Sequence, residues 1–152
     1  MGIKALGYVR IETAKAEAWD HFMTQVVGAM RADAPQAGVA AFRIDDRPFR
    51  FWVEPGQSER LIAAAYEVGD AAELAALRET IAGLGREIVD GDAAGANARG
   101  VSGFFSTTDP AGNGLEFFWG DSRDDVAFVS PAGVSGFVIQ FPFALHQLAP
   151  AC

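Results

Sequence analysis

In the stretch DPAGNGLEFFWGD, Asp109 to Asp121, a turn-rich run feeds a strand of large apolar and aromatic residues. One carboxylate, Glu116, sits at its centre. Strand alternation puts Glu116 on the face opposite Leu115 and Phe117. An acid in that place can act as a metal ligand or a general base. The commoner case is a partly buried carboxylate satisfied by a tyrosine or backbone donor. Burial raises its pKa and hydrogen bonds to the charged form lower it, so both protonation states stay open at this level.

The chain has only two histidines, His21 and His146. A mechanism that needs two imidazoles at one site must recruit both or borrow one from another chain. His21 immediately precedes Phe22 on an amphipathic helix and is expected to face solvent. It has no cysteine cluster beside it, so a zinc site has no support. GxGxxG and GKS/GKT phosphate loops are absent. Trp19, Trp52 and Trp119 could line an aromatic-binding cleft, although buried aromatics more often serve the core.

These residues must be positioned by a chain of 152 residues, half of them hydrophobic, which suits one domain with a full core. Twelve basic against twenty acidic residues leave a formal charge of -8. That disfavours nucleic acid and anionic membranes as partners, since both call for a basic footprint. No apolar run reaches membrane-spanning length, and MGIKALGYVRIET lacks signal-peptide anatomy. A single cysteine, Cys152, excludes an internal disulfide and fits a reducing cytoplasm.

KALGYVRI reads as a strand, and the helix after it carries Trp19, Phe22, Met23, Val26 and Val27 at helical spacing. VAAFRID and RPFRFWVEP read as two strands joined by a turn at Asp45-Asp46, with Phe49, Phe51 and Val53 sharing a face. LIAAAYEV then opens a second round. Asp70 and Glu73 make a capping box, Leu74, Leu77, Ile81 and Leu84 stripe the next helix, and Gly85 ends it. EIVDG, GFFSTTD and GLEFFWG follow as strands. The order β-α-β-β-β therefore occurs twice, with an offset of roughly fifty-five to fifty-seven residues. The reading is an α+β fold with modules at about 1–56 and 57–121, forming a curved, partly closed mixed sheet with helices outside. Residues 122–152 read as a linker-like tail.

Paired β-α-β-β-β units closed by a strand with a central Glu resemble the vicinal oxygen chelate superfamily. LGYVRIETAKAEAWDHF, FRIDDRPFRFWVEPGQ, AAYEVGDAAELAAL, RGVSGFFSTTDPAGNGLEFFWG and VSGFV occur in order. Together they resemble the N-terminal domain of dihydroxybiphenyl-type extradiol dioxygenases over roughly residues 2 to 138. The resemblance implies aromatic catabolism, with catechol ring cleavage as the reaction class. In that family a C-terminal domain carries Fe(II) on two histidines and a carboxylate.

Laid onto this chain, the ligand pattern puts Tyr8 at the first histidine position and Ala63, give or take two residues, near the second. Glu116 falls on the carboxylate. One ligand of three is matched, so the expectation is no iron cofactor in this domain and no ring cleavage by it alone. His146 lies near the spacing of a first iron ligand in a following domain but lacks the expected flanks, and reads as a remnant or coincidence.

Two further readings stay open: a small aromatic-ligand module of the bleomycin-resistance type, using a cup around Tyr8, Ala63 and Glu116, and a metalloenzyme with unconventional ligands. The expected partners are a second copy or a missing catalytic domain, unless Phe137, Val138, Ile139, Phe141 and Phe143 of the tail cover the exposed face. The Tyr8 hydroxyl is the candidate donor to Glu116, directly or through water. On that basis Glu116→Gln should cost little, and Glu116→Leu more.

Overall fold

The computed structural model describes residues 2–133. Its first module runs β1 (Ala5–Thr13), α1 (Ala16–His21), β2 (Met30–Ala32), β3 (Ala40–Arg43) and β4 (Phe51–Pro55). The second runs β5 (Arg60–Glu67), α2 (Ala71–Gly83), β6 (Val89–Asp90), α3 (Ala93–Arg99), β7 (Gly103–Thr108) and β8 (Gly114–Trp119). The short strand β2 and the helix α3 were not read from the sequence. Both lack a run of alternating or striped apolar residues long enough to register.

All eight strands join one mixed sheet in the order β2-β3-β4-β1-β5-β8-β7-β6, open between its β2 and β6 edges rather than partly closed as the sequence reading expects. The order has internal symmetry. β1 lies parallel to β4 in its own module, β5 lies parallel to β8, and β1 and β5 meet antiparallel at the centre. Tyr8 is paired with Ala65, and Ala65 with Glu116. Three central strands thus bring one residue each to the same level of the same face.

The first helix departs from its sequence reading in an instructive way. After His21 it continues as π-helical turns over Phe22–Val27, ending at Gly28 in the left-handed region. The wider turn moves the buried stripe to a spacing of four. Trp19, Met23 and Val27 pack with Ile11, Phe42 and Val53, while Phe22 and Val26 face outward. His21 is exposed, as expected. Phe49 also differs from expectation. It precedes β4 and packs with Tyr8 and Trp52, whereas Phe51 and Val53 lie in the cluster beneath the first helix.

On α2, Asp70 caps the N-terminus by accepting from the Glu73 amide at 2.8 Å, and Glu73 accepts from Gly69 at 3.0 Å. Leu74, Leu77 and Ile81 are half-buried on this helix, which lies against β7 and β8. Leu84 caps its end and is exposed, so the stripe stops one turn early.

After β8 the chain returns to the first module without regular structure. Asp121 pairs with Arg47 at 2.6 Å and Arg123 with Asp46 at 2.7 Å. The buried Arg43 donates to the Val126 carbonyl at 2.7 Å. This stretch, read as linker-like from sequence, is fastened to the end of β3 and the loop after it at least as far as Ala127. VSGFV, the tail phenylalanines, His146 and Cys152 lie outside the described residues.

Candidate functional site

The site grows from alternation on two central strands. Tyr8 and Arg10 stand two apart on β1 and share a face, and Glu116 comes to that face from β8. Tyr8 Oη donates to Glu116 Oε2 at 2.5 Å. Arg10 Nη1 donates to Oε1 at 2.7 Å. A second arginine completes the set, with Arg99 Nε to Oε2 and Arg99 Nη2 to Oε1, both at 2.8 Å, a bidentate fork. Glu116 itself is 1% exposed.

Arg99 reaches the carboxylate because α3 ends there. Asp92 caps that helix by accepting from the Gly95 amide at 2.6 Å, and Gly100 terminates it at φ 63°, a conformation suited to glycine. The arginine therefore leaves the last turn pointing at β8. Its guanidinium also stacks over Phe104 at 4.0 Å from the ring centroid. Trp52 lies near both guanidiniums, 5.2 Å from Arg10 and 5.5 Å from Arg99. Arg10 has a second carboxylate in Glu54, at 2.8 Å from Nη2.

Four charged side chains of balanced sign therefore occupy this face. Burial alone would raise the Glu116 carboxyl. The Arg99 hydrogen bonds and charge, helped by Tyr8 and Arg10, outweigh it and hold the group below the ordinary carboxylate range. Burial, reinforced by the adjacent Glu116 charge, pushes the Tyr8 hydroxyl well above its ordinary value. Both arginines are raised despite burial, Arg10 chiefly by Glu54 and Arg99 by Glu116. The site is an ion-pair cluster with an ionised acid and neutral phenol at neutral pH.

Of the sequence-named residues, Tyr8 and Glu116 meet directly. Ala63 pairs with Arg10, and Ala65, two residues on, is level with Tyr8 and Glu116. Trp52 belongs to this cluster, while Trp19 packs beneath the first helix and Trp119 is half-buried at the end of β8. Arg10 and Arg99 were missed. The signal for Arg10 was present, since LGYVRI places it on the Tyr8 face. For Arg99 the signal was the Asp92 and Gly100 brackets around a short alanine-rich segment.

Their presence overturns the expectation that Glu116→Gln costs little. An amide cannot neutralise two guanidiniums, and its NH2 group would face a cation. Among the described residues, no group of three or more histidine, cysteine, aspartate or glutamate side chains is placed to hold a metal. No described helix is long and apolar enough to cross a membrane.

Comparison with known proteins places this geometry. Residues 6–56 match the family model described as dihydroxybiphenyl dioxygenase BphC D1. The chain resembles the vicinal oxygen chelate superfamily and shares its fold. It is 39% identical to biphenyl-2,3-diol 1,2-dioxygenase of Paraburkholderia xenovorans over 139 residues, covering 91% of this chain and 46% of that protein. It is 32% identical to an iron-dependent extradiol dioxygenase of Rhodococcus jostii, covering 88% of this chain and 44% of that one. A solved catechol 2,3-dioxygenase superposes with a TM-score of 0.81 at 25% identity, over 90% of this chain and 48% of that structure. The chain thus spans about half the length of the curated relatives it matches, and it resembles the N-terminal half of such an enzyme.

Proposed function

We propose that this chain is a non-catalytic domain of an extradiol ring-cleavage dioxygenase, holding and orienting a catalytic half that carries iron. The supporting observation is the state of Glu116. Both of its oxygens are occupied, Oε1 by Arg10 and Arg99 and Oε2 by Tyr8 and Arg99. A divalent cation there would compete with two guanidiniums for one carboxylate, and no imidazole stands at Tyr8 or Ala65 to help it. The residues do not fit an Fe(II) site, and no chemical step is assigned to them.

What they do instead is structural. Tyr8 and Arg10 come from the first module, Arg99 and Glu116 from the second, so the carboxylate ties the two modules across the β1–β5–β8 centre. The same side chains argue against the aromatic-ligand reading. Arg10, Arg99, Trp52 and Phe118 fill the face that a ring would need. The family's catechol chemistry then belongs to the whole dioxygenase, with a cytoplasmic setting.

The test is direct. The purified chain is loaded anaerobically with Fe(II), then given oxygen and 2,3-dihydroxybiphenyl or catechol. The expected result is no stoichiometric iron and no ring-cleavage product. Stoichiometric iron with turnover that disappears in Glu116→Ala would overturn the proposal.

A further inference from the structure

The donors around Glu116 are arranged as a receptor would arrange them. A bidentate guanidinium from α3, a second guanidinium from β1 and a phenol from β1 converge on one carboxylate. Aromatic walls from Trp52, Phe104 and Phe118 surround them. Each donor is held independently of the acid it serves. Arg10 is anchored by Glu54, Arg99 by the Gly95 carbonyl at 3.1 Å and the Phe104 ring, and Tyr8 by stacking on Phe118 and a tilted contact with Phe49. Removing the Glu116 side chain therefore takes away the anion and leaves its donors in place, with an excess of one positive charge among Arg10, Arg99 and Glu54. Tyr8 and Arg99 also line a small surface depression with Gly7, Gly100 and Val101.

We infer that Arg10, Arg99 and Tyr8 form a carboxylate-binding site that Glu116 occupies as a built-in ligand, and that a free carboxylate of formate size takes its place when the side chain is removed. The inference rests on the structural reading of the cluster given above. Size follows from the deletion. Glu116→Ala keeps Cβ and removes the methylene and carboxylate, so the vacated space suits formate, crowds acetate and excludes propionate.

Thermal unfolding of the full chain tests this in sodium formate, acetate and propionate against sodium chloride at equal ionic strength. Saturating formate should raise the Tm of Glu116→Ala by about 3 °C or more over chloride, and that of the wild type by less than about 1 °C. Acetate should do less and propionate nothing. Glu116→Gln, whose amide fills the space, should not respond, and Glu116→Ala/Arg99→Met should lose the response. Glu116→Ser provides a second vacated site. Recovery of soluble, folded Glu116→Ala or Glu116→Ser only in formate also supports the inference. An equal response to chloride and formate, a response unchanged without Arg99, or failure of both variants to fold in every salt overturns it. Iron binding by the wild type would sink the structural reading and leave the formate result standing, so the two failures are distinguishable.

Discussion

Replacing Glu116 by glutamine changes one atom and should destabilise the domain by about 3 kcal/mol. The figure follows from which charge is stranded. Arg10 keeps Glu54 at 2.8 Å, and its side chain is 21% exposed, so water can make good part of its loss. Arg99 has no second carboxylate in the cluster. It keeps a carbonyl and an aromatic face, and its side chain is only 10% exposed. Removing one partner of a buried pair costs about 3–5 kcal/mol, because the surviving ion stays desolvated and unpaired. The partial compensation at Arg10 puts the expected value at the lower end. In urea, with a slope of about 2 kcal/mol/M, this is a midpoint shift of roughly 1.5 M. A double-mutant cycle with Arg99→Met isolates the pair. With Arg99 absent, Glu116→Gln should cost far less, giving a coupling on the order of 2 kcal/mol. Circular dichroism and tryptophan fluorescence, followed together, would check that unfolding remains two-state. A midpoint shift below about 0.5 M, or a coupling near zero, would refute the argument.

Three other outcomes follow from the sheet and the cluster. A Cβ at Gly114 would lie 2.0 Å from the Ile62 carbonyl oxygen, so Gly114→Ala must push β8 away from β5 and should cost about 2 kcal/mol or more in urea unfolding, while Gly83→Ala on α2, where a Cβ meets nothing within 4 Å, should cost little. Glu116 is lowered in the folded state, so its contribution is whole above the unfolded carboxyl pKa of about 4.3 and is lost as pH falls through the folded value. Urea midpoints at pH 7, 4 and 3 should converge for wild type and Glu116→Gln. Tyr8 is raised, so its contribution is present below pH about 10 and is lost as pH rises through its folded value. In an alkaline absorbance titration, one of the two tyrosines should ionise only as the protein unfolds.

The modules were legible because their long strands are apolar and aromatic runs bounded by turn residues. LIAAAYE buries alternate residues, whereas GLEFFW buries Glu116, Phe117 and Phe118 in a row, as a strand covered on both faces does. Glu116 stood out for the same reason, as a single charge on an otherwise apolar and aromatic strand. Asp70 and Glu73 marked the start of α2 through side-chain chemistry confined to one turn. The first helix was placed correctly in the chain but not in its rotation, since no local pattern announces the π-helical turns that turn Phe22 and Val26 outward.

What the tertiary structure alone decided is the company Glu116 keeps. Sequence identifies an acid, a tyrosine and two arginines at positions 116, 8, 10 and 99. It gives no distance between residues that lie up to 108 positions apart. Whether that acid is a metal ligand or an ion-pair centre turns on a few ångströms, because a carboxylate's role is set by the charges within hydrogen-bond reach. The antiparallel pairing of β1 with β5, the parallel pairing of β5 with β8, and the Gly100 stop that aims Arg99 together bring two guanidiniums into contact with one carboxylate. Each of those is a long-range or backbone event, fixed only when the whole sheet closes around its central strands.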